Sequence, residues 1–150
     1  MIAYEDLAVG TVLDLPAYTV TAAEIIEFAS EFDPQPFHLD GESEQATSVN
    51  GLIASGWHTC AMAMRMFCDG YLLRSTSQSA PAVGSVRWLR PVRPGDTLSG
   101  TSTVREARLS AKRPTLGIVR VEHDIRNQHG EAVLAMDNTG MFLTRGAAAP

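Results

Sequence analysis

Cysteine is scarce: Cys60 and Cys68 are the only two in 150 residues. On one helix, eight residues apart, their Cα atoms stand about 12 Å from each other. A disulfide needs roughly 4.4–6.8 Å, so the pair reads as two free thiols, which fits a reducing compartment. The first residues, Met1 to Leu7, also lack the basic and apolar regions of a secretory signal. A cytoplasmic protein is expected. Basic charge is in short supply too: 12 Lys and Arg against 17 Asp and Glu leave a net charge of −5. That argues against a nucleic-acid partner, which needs a basic surface. It does not exclude an anionic ligand held by a local patch. No long apolar run is free of charge. Ala54 to Leu73 is about one membrane width long, but His58, Arg65, Asp69 and Gly70 interrupt it. A buried helix is expected there, not a membrane span. No glycine-rich phosphate loop occurs. His38, Asp40 and His58 lack the tight spacing of zinc sites, so no metal is expected. Repeats and linkers are missing as well. One domain over residues 1–145 is expected, followed by a loose tail, residues 146–150 (Gly146 to Pro150).

The residues that are present alternate between two periodicities. Thr21-Ala22-Ala23-Glu24 is a capping box, and Ile25, Phe28, Ala29 and Phe32 follow at helical spacing. Asp33-Pro34 ends that helix, and Pro36 is read as keeping the next residues extended. A short helical piece is expected from Gly41 to Ala46. The apolar segment from Gly56 to about Leu73 has Cys60, Ala61, Met62, Ala63, Met64, Met66 and Phe67 nearly all round, and such a helix must be wrapped. Strands are expected at Val83–Val92, Thr97–Leu109, Leu116–Ile125 and Ala132–Thr144. Pro94-Gly95 supplies one turn and Asn127 to Gly130 a hairpin loop. The class is therefore α+β: an antiparallel β-sheet wrapped around a long central α-helix.

Chemistry concentrates in two segments. Phe32-Asp33-Pro34-Gln35-Pro36-Phe37-His38-Leu39-Asp40 sets a carboxylate and an imidazole on a proline-stiffened loop. Such a pair can orient a water and move a proton. The same two residues also suit plain structural roles, a helix end and a surface loop. Gly51 to Thr59 opens the buried helix. Free N–H groups at a helix N-terminus favour negative oxygen, and Gly56 lets a ligand approach the backbone closely. Ser55 is the natural N-cap, and Gly56 is equally readable as a packing choice.

The run Asp33-Pro34-Gln35-Pro36-Phe37-His38-Leu39-Asp40 resembles the hydratase motif of the MaoC-like and (R)-specific enoyl-CoA hydratase family. That motif reads Asp, any residue, Asn, Pro, any residue, His, then usually an acid two further on. Asp33, Pro36, His38 and Asp40 match it, and Gln35 stands where Asn is usual. The segment around Gly56 resembles the family's helix opening. The run Val86 to Leu98, with Pro91-Val92 and Pro94-Gly95-Asp96, resembles its strand and turn. The resemblance extends from about Tyr4 to Thr144. Met64 stands where some members carry a serine, and Trp57 and His58 are bulky beside Gly56.

The resemblance implies a hot-dog fold, pairing of two copies into at least a homodimer, and reversible hydration of a trans-2-enoyl-CoA to the (R)-3-hydroxyacyl-CoA. It implies Asp33, His38 and Gly56 as catalytic residues. Gln35, Ser55, Trp57 and His58 are candidate substrate-binding residues. No cofactor is expected beyond the coenzyme A that the substrate carries. Its phosphates have Arg87, Arg90, Arg93, Lys112 and Arg113 as candidate partners. Trp57 suggests a short acyl pocket. Two rival functions share the fold: an acyl-CoA thioesterase, and a non-catalytic acyl-CoA-binding subunit.

Overall fold

The computed structural model describes residues 1–147; of the expected tail, Ala148 to Pro150 lie outside the described residues. After a 3-10 turn at Tyr4–Asp6 come β1 (Val12–Thr19), α1 (Ala22–Phe32), α2 (Pro36–Leu39), α3 (Glu44–Ser48) and α4 (Gly56–Gly70). A second 3-10 turn, Leu72–Arg74, leads to β2 (Ser77–Trp88), β3 (Thr97–Leu109), β4 (Leu116–Arg126) and β5 (Ala132–Leu143). The five strands form one antiparallel sheet in the order β1-β3-β4-β5-β2. The central helix lies against it, as in the hot-dog fold.

Alternation explains the sheet. Along β4, Val119, Val121, His123 and Ile125 are buried while Ile118, Arg120, Glu122 and Asp124 are partly exposed. A period of two sends alternate side chains to opposite faces. The buried set joins Met62, Ala63, Met66 and Phe67 of α4 with Val104, Leu134 and Phe142 in one core. His123 is carried into that core and is satisfied there. Its Nδ1 meets Ser102 Oγ at 2.7 Å and its Nε2 meets Asn138 Oδ1 at 2.7 Å. A buried polar group without such partners is costly. The turns are as read: Gly95 (φ 84°) and Gly130 (φ 74°) both occupy the left-handed region, where glycine carries no Cβ penalty.

Several expectations need correction. Pro36 does not keep the chain extended; it opens the helical turn α2. Proline suits the first helical position, whose N–H has no partner in any case. The next helical piece runs Glu44–Ser48, not Gly41 to Ala46, because Ser43 caps it by accepting from the Ala46 N–H at 3.1 Å. The central helix stops at Gly70. β2 starts at Ser77 and ends at Trp88, so Leu89 to Val92 form a loop instead of strand. The wrapping of α4 is also one-sided. Trp57 (63%) and Met64 (48%) stay exposed, beside β2, which forms an edge of the sheet. Phe32 likewise points outward, against the ring of Phe28.

Candidate active site

Asp33 ends α1, where its N–H still bonds the Ala29 carbonyl. Two residues later Gln35 begins the tight path into α2. The backbone then ties α2 to the segment before α4: Ile53 N–H donates to Phe37 C=O at 3.2 Å. The His38 ring answers, with Nδ1 donating to the Ile53 carbonyl at 2.7 Å. A carbonyl only accepts, so Nδ1 carries the proton. That leaves Nε2 facing Asp33, at 3.4 Å from Oδ2. His38 is 5% exposed, and its ring is fixed by this bond and by the edge contact with Phe37. The Asp–His juxtaposition expected from the motif is present.

The carboxylate is held by two donors. Ser55 Oγ, fully buried, donates to Oδ2 at 2.6 Å. Gln35 Nε2 donates to Oδ1 at 2.7 Å. These bonds, chiefly the one from Ser55, hold the Asp33 carboxyl below the usual carboxylate range. Ser55 serves twice, since the same Oγ accepts the Trp57 N–H at 3.2 Å and so caps α4. One hydroxyl thus joins the base of the site to the helix N-terminus. Ser55→Ala is expected to loosen both. If Asp33 works as an anion, the acid limb of a kcat/KM–pH profile should move to higher pH in this variant. An unmoved limb would show that the bond does not govern the active ionisation.

Gly56 is the first residue of α4, so its N–H has no partner four residues back within the helix. Its absence of a side chain is required by packing. A Cβ there would lie 2.8 Å from Cε2 and Nε1 of Trp88. That indole N–H donates to the Gly56 carbonyl at 2.8 Å, and the ring meets Trp57 edge-on at 5.3 Å. Asp33, Gln35, His38, Gly56, Trp57 and Trp88 together line a cleft of about 460 Å³. The opposite wall is the Leu89–Val92 loop, pinned by Ala54 N–H to Val92 C=O at 2.8 Å. Arg93 ties the same loop down by donating to the carbonyls of Val49 and Asn50.

Not every candidate reaches the cleft. Ser55 sits behind it, on Asp33. His58 packs away from it, stacked on Phe28 at 4.7 Å. Its Nδ1 is buried with no partner, and burial pushes its pKa down. Met64 lies farther along α4, beside a second cavity between α4 and β2. Conversely, Trp88, the floor of the site, carried no local signal. It comes from a strand 32 residues after Gly56, and only its contact with a glycine singles it out. Among the described residues no three His, Cys, Asp or Glu side chains gather as metal ligands, and no helix is long and apolar enough to cross a membrane.

This fold, with an Asp–His pair set against the N-terminus of the central helix, defines a class. The MaoC-like domain model matches residues 6–126, and the chain belongs to that family. A MaoC-like dehydratase from Rhodospirillum rubrum is 39% identical, superposes with a TM-score of 0.89, and matches over 97% of this chain and 99% of its own. An uncharacterised protein of Bacillus subtilis is 29% identical over 83% of this chain and 86% of its own length. A mesaconyl-CoA hydratase from Cereibacter sphaeroides is 44% identical over 64 residues, which are 43% of this chain but only 18% of that protein. An (R)-hydratase from Pseudomonas aeruginosa shares the fold at a TM-score of 0.73 and 23% identity, over 96% of this chain and 87% of its own.

Proposed function

We propose that this protein hydrates a trans-2-enoyl-CoA reversibly to the (R)-3-hydroxyacyl-CoA. The observation that carries the reading is the Asp33 carboxyl, its pKa held down by the Ser55 and Gln35 hydrogen bonds, facing His38 Nε2 at 3.4 Å in the cleft that Gly56 also lines. A water lodged between Asp33 Oδ2 and Nε2 donates to both. The pair takes a proton from it as the hydroxyl adds to C3, and returns a proton to C2, so the pair is regenerated. Negative charge collects on the thioester oxygen meanwhile. The Gly56 N–H, reinforced by the helix dipole, is where that charge is best stabilised. Acid–base catalysis of this kind is worth about 10²–10⁴-fold, and one oxyanion donor about 10²–10³-fold.

The family and the likeness to a mesaconyl-CoA hydratase over 64 residues support the reaction class. The same reading includes pairing of two copies along the exposed β2 edge and the exposed face of α4, since an unpaired edge strand invites a partner. The test is loss of the enoyl absorbance when purified protein meets crotonyl-CoA, a branched enoyl-CoA and mesaconyl-CoA, with product chirality determined. Formation of the (R)-3-hydroxy thioester is expected with at least one. Release of free thiol without hydration would replace this reading by a thioesterase.

A further inference from the structure

The cleft carries one positive group that the chemistry above leaves unused. Arg90 lines it from the Leu89–Val92 loop, and among the described residues it is the only Lys or Arg that does. The other polar lining groups are the Asp33, Gln35 and His38 cluster and Thr59, whose hydroxyl donates to the Ser55 carbonyl; the remaining side chains are apolar or aromatic.

Arg90 is also unspent. Its one ion pair, to Glu131, spans 3.6 Å, with side chains 56% and 42% exposed. A pair so long and so wet contributes little. Other arginines are committed more closely. Arg105 lies 2.6 Å from Glu122, Arg126 and Arg145 lie 2.7 Å from their partners, and Arg65 lies 2.7 Å from Asp69. Arg93, three residues on from Arg90, is taken up by backbone carbonyls. The loop carrying Arg90 is fixed at both ends, by Leu89 N–H to Val133 C=O at 2.9 Å and by the Ala54–Val92 bond. A planar cation on a stiff loop, facing an aromatic cleft, is suited to two-pronged recognition of an oxyanion.

We infer that Arg90 is the anion-recognition residue of this cleft, binding an oxyanion that the thioester carries away from its reacting carbonyl. The inference rests on the hydratase reading for the ligand class. Two groups of the ligand have this chemistry: the phosphates of coenzyme A, and a free carboxylate on a dicarboxylic acyl chain. Either would displace Glu131 and lie against Arg90 while the thioester occupies the Asp33 end.

Binding can be read without turnover. Trp57 and Trp88 are the only tryptophans, and both line the cleft, so intrinsic fluorescence reports its occupancy. Four saturated thioesters that cannot be hydrated separate the cases: butyryl-CoA, succinyl-CoA, butyryl-pantetheine and succinyl-pantetheine. Arg90→Gln, at an exposed position that tolerates substitution, is expected to raise Kd about tenfold for the ligands bearing the recognised group. Loss with both coenzyme A esters and neither pantetheine ester identifies the phosphates. Loss with both succinyl esters and neither butyryl ester identifies the carboxylate. Kd values unchanged within twofold for all four overturn the inference, as does a wild-type protein whose fluorescence none of them alters. The enoyl absorbance assay decides the hydratase reading separately, so failure of one leaves the other legible.

Discussion

Asp33→Asn is expected to lower kcat/KM for enoyl-CoA hydration by about 10²–10⁴-fold while leaving the melting temperature close to that of the parent. The substitution is nearly isosteric, and its surroundings can accept it. The Gln35 amide can turn to present its oxygen to the new NH₂. The Ser55 hydroxyl can still donate to the new carbonyl, as it now donates to Oδ2. What disappears is the negative charge 3.4 Å from His38 Nε2. An amide cannot take the proton from water, and it no longer favours a proton passing through the imidazole. The pH profile carries a second check. Because the hydrogen bonds hold the folded-state pKa of Asp33 down, the carboxylate is ionised from below the usual carboxylate range upward. Its contribution to stability is therefore present above the unfolded pKa of about 3.9 and is lost as pH falls through the lower folded value. Parent and variant should thus differ in the slope of stability against pH only at low pH, the variant lacking throughout the neutral range the small stabilisation that ionised Asp33 supplies, and in activity across the neutral range. Near-parental hydration by a folded Asp33→Asn protein would remove Asp33 from the mechanism.

Sequence and structure agree where the signal is local and part company where it is not. β3, β4 and β5 are legible to within a residue at each end because their signals belong to neighbouring positions: β3 is rich in Thr, Ser and Val, β4 alternates, and the turns at Pro94-Gly95 and Asn127 to Gly130 bound them. β2 is not. Ser77 to Pro81 shows no alternation because this stretch lies on a sheet edge with register irregularities at Ser77/Ser79 and Ser79/Ala82, so neither of its faces has to be apolar. The Pro36 turn was open to two physical readings, since one proline stiffens extended chain and also starts helices; the hydrogen bond from Asp40 N–H to Pro36 C=O shows which was taken. At the site, Asp33 and His38 stand five residues apart and can be paired on paper. Their supports cannot. Ser55 meets Asp33 across 22 positions, and Trp88 meets Gly56 across 32. A serine before a glycine announces a helix cap, and nothing in that signal says its hydroxyl is shared with a carboxylate. The same limit applies to Arg90, which was one of five indistinguishable basic residues until the loop placed it on the cleft.

Gly56→Ala is the substitution for which local propensity and tertiary packing give opposite answers. In a helix, alanine is favoured over glycine by up to about 1 kcal/mol, so propensity alone forecasts a more stable protein. Packing opposes this. The added methyl would come within 2.8 Å of two atoms of the Trp88 indole and 3.2 Å of a third, and overpacking of this kind typically costs about 1–3 kcal/mol. Packing is expected to win, with a lower melting temperature. The functional loss should be larger than the stability loss. Either the indole gives way, breaking its bond to the Gly56 carbonyl and disturbing Trp57, or the start of α4 moves and takes the Gly56 N–H away from the thioester oxygen. A displaced oxyanion donor costs about 10²–10³-fold in kcat. The two routes separate in the double variant Gly56→Ala/Trp88→Ala, measured for melting temperature and hydration. With the indole gone the clash is gone, and α4 can return to its place. Recovery of kcat relative to Gly56→Ala would show that the helix start had been displaced and that the N–H acts on the substrate. If Gly56→Ala keeps full kcat despite a lower melting temperature, the glycine is there only to admit Trp88, and the oxyanion role of this N–H falls.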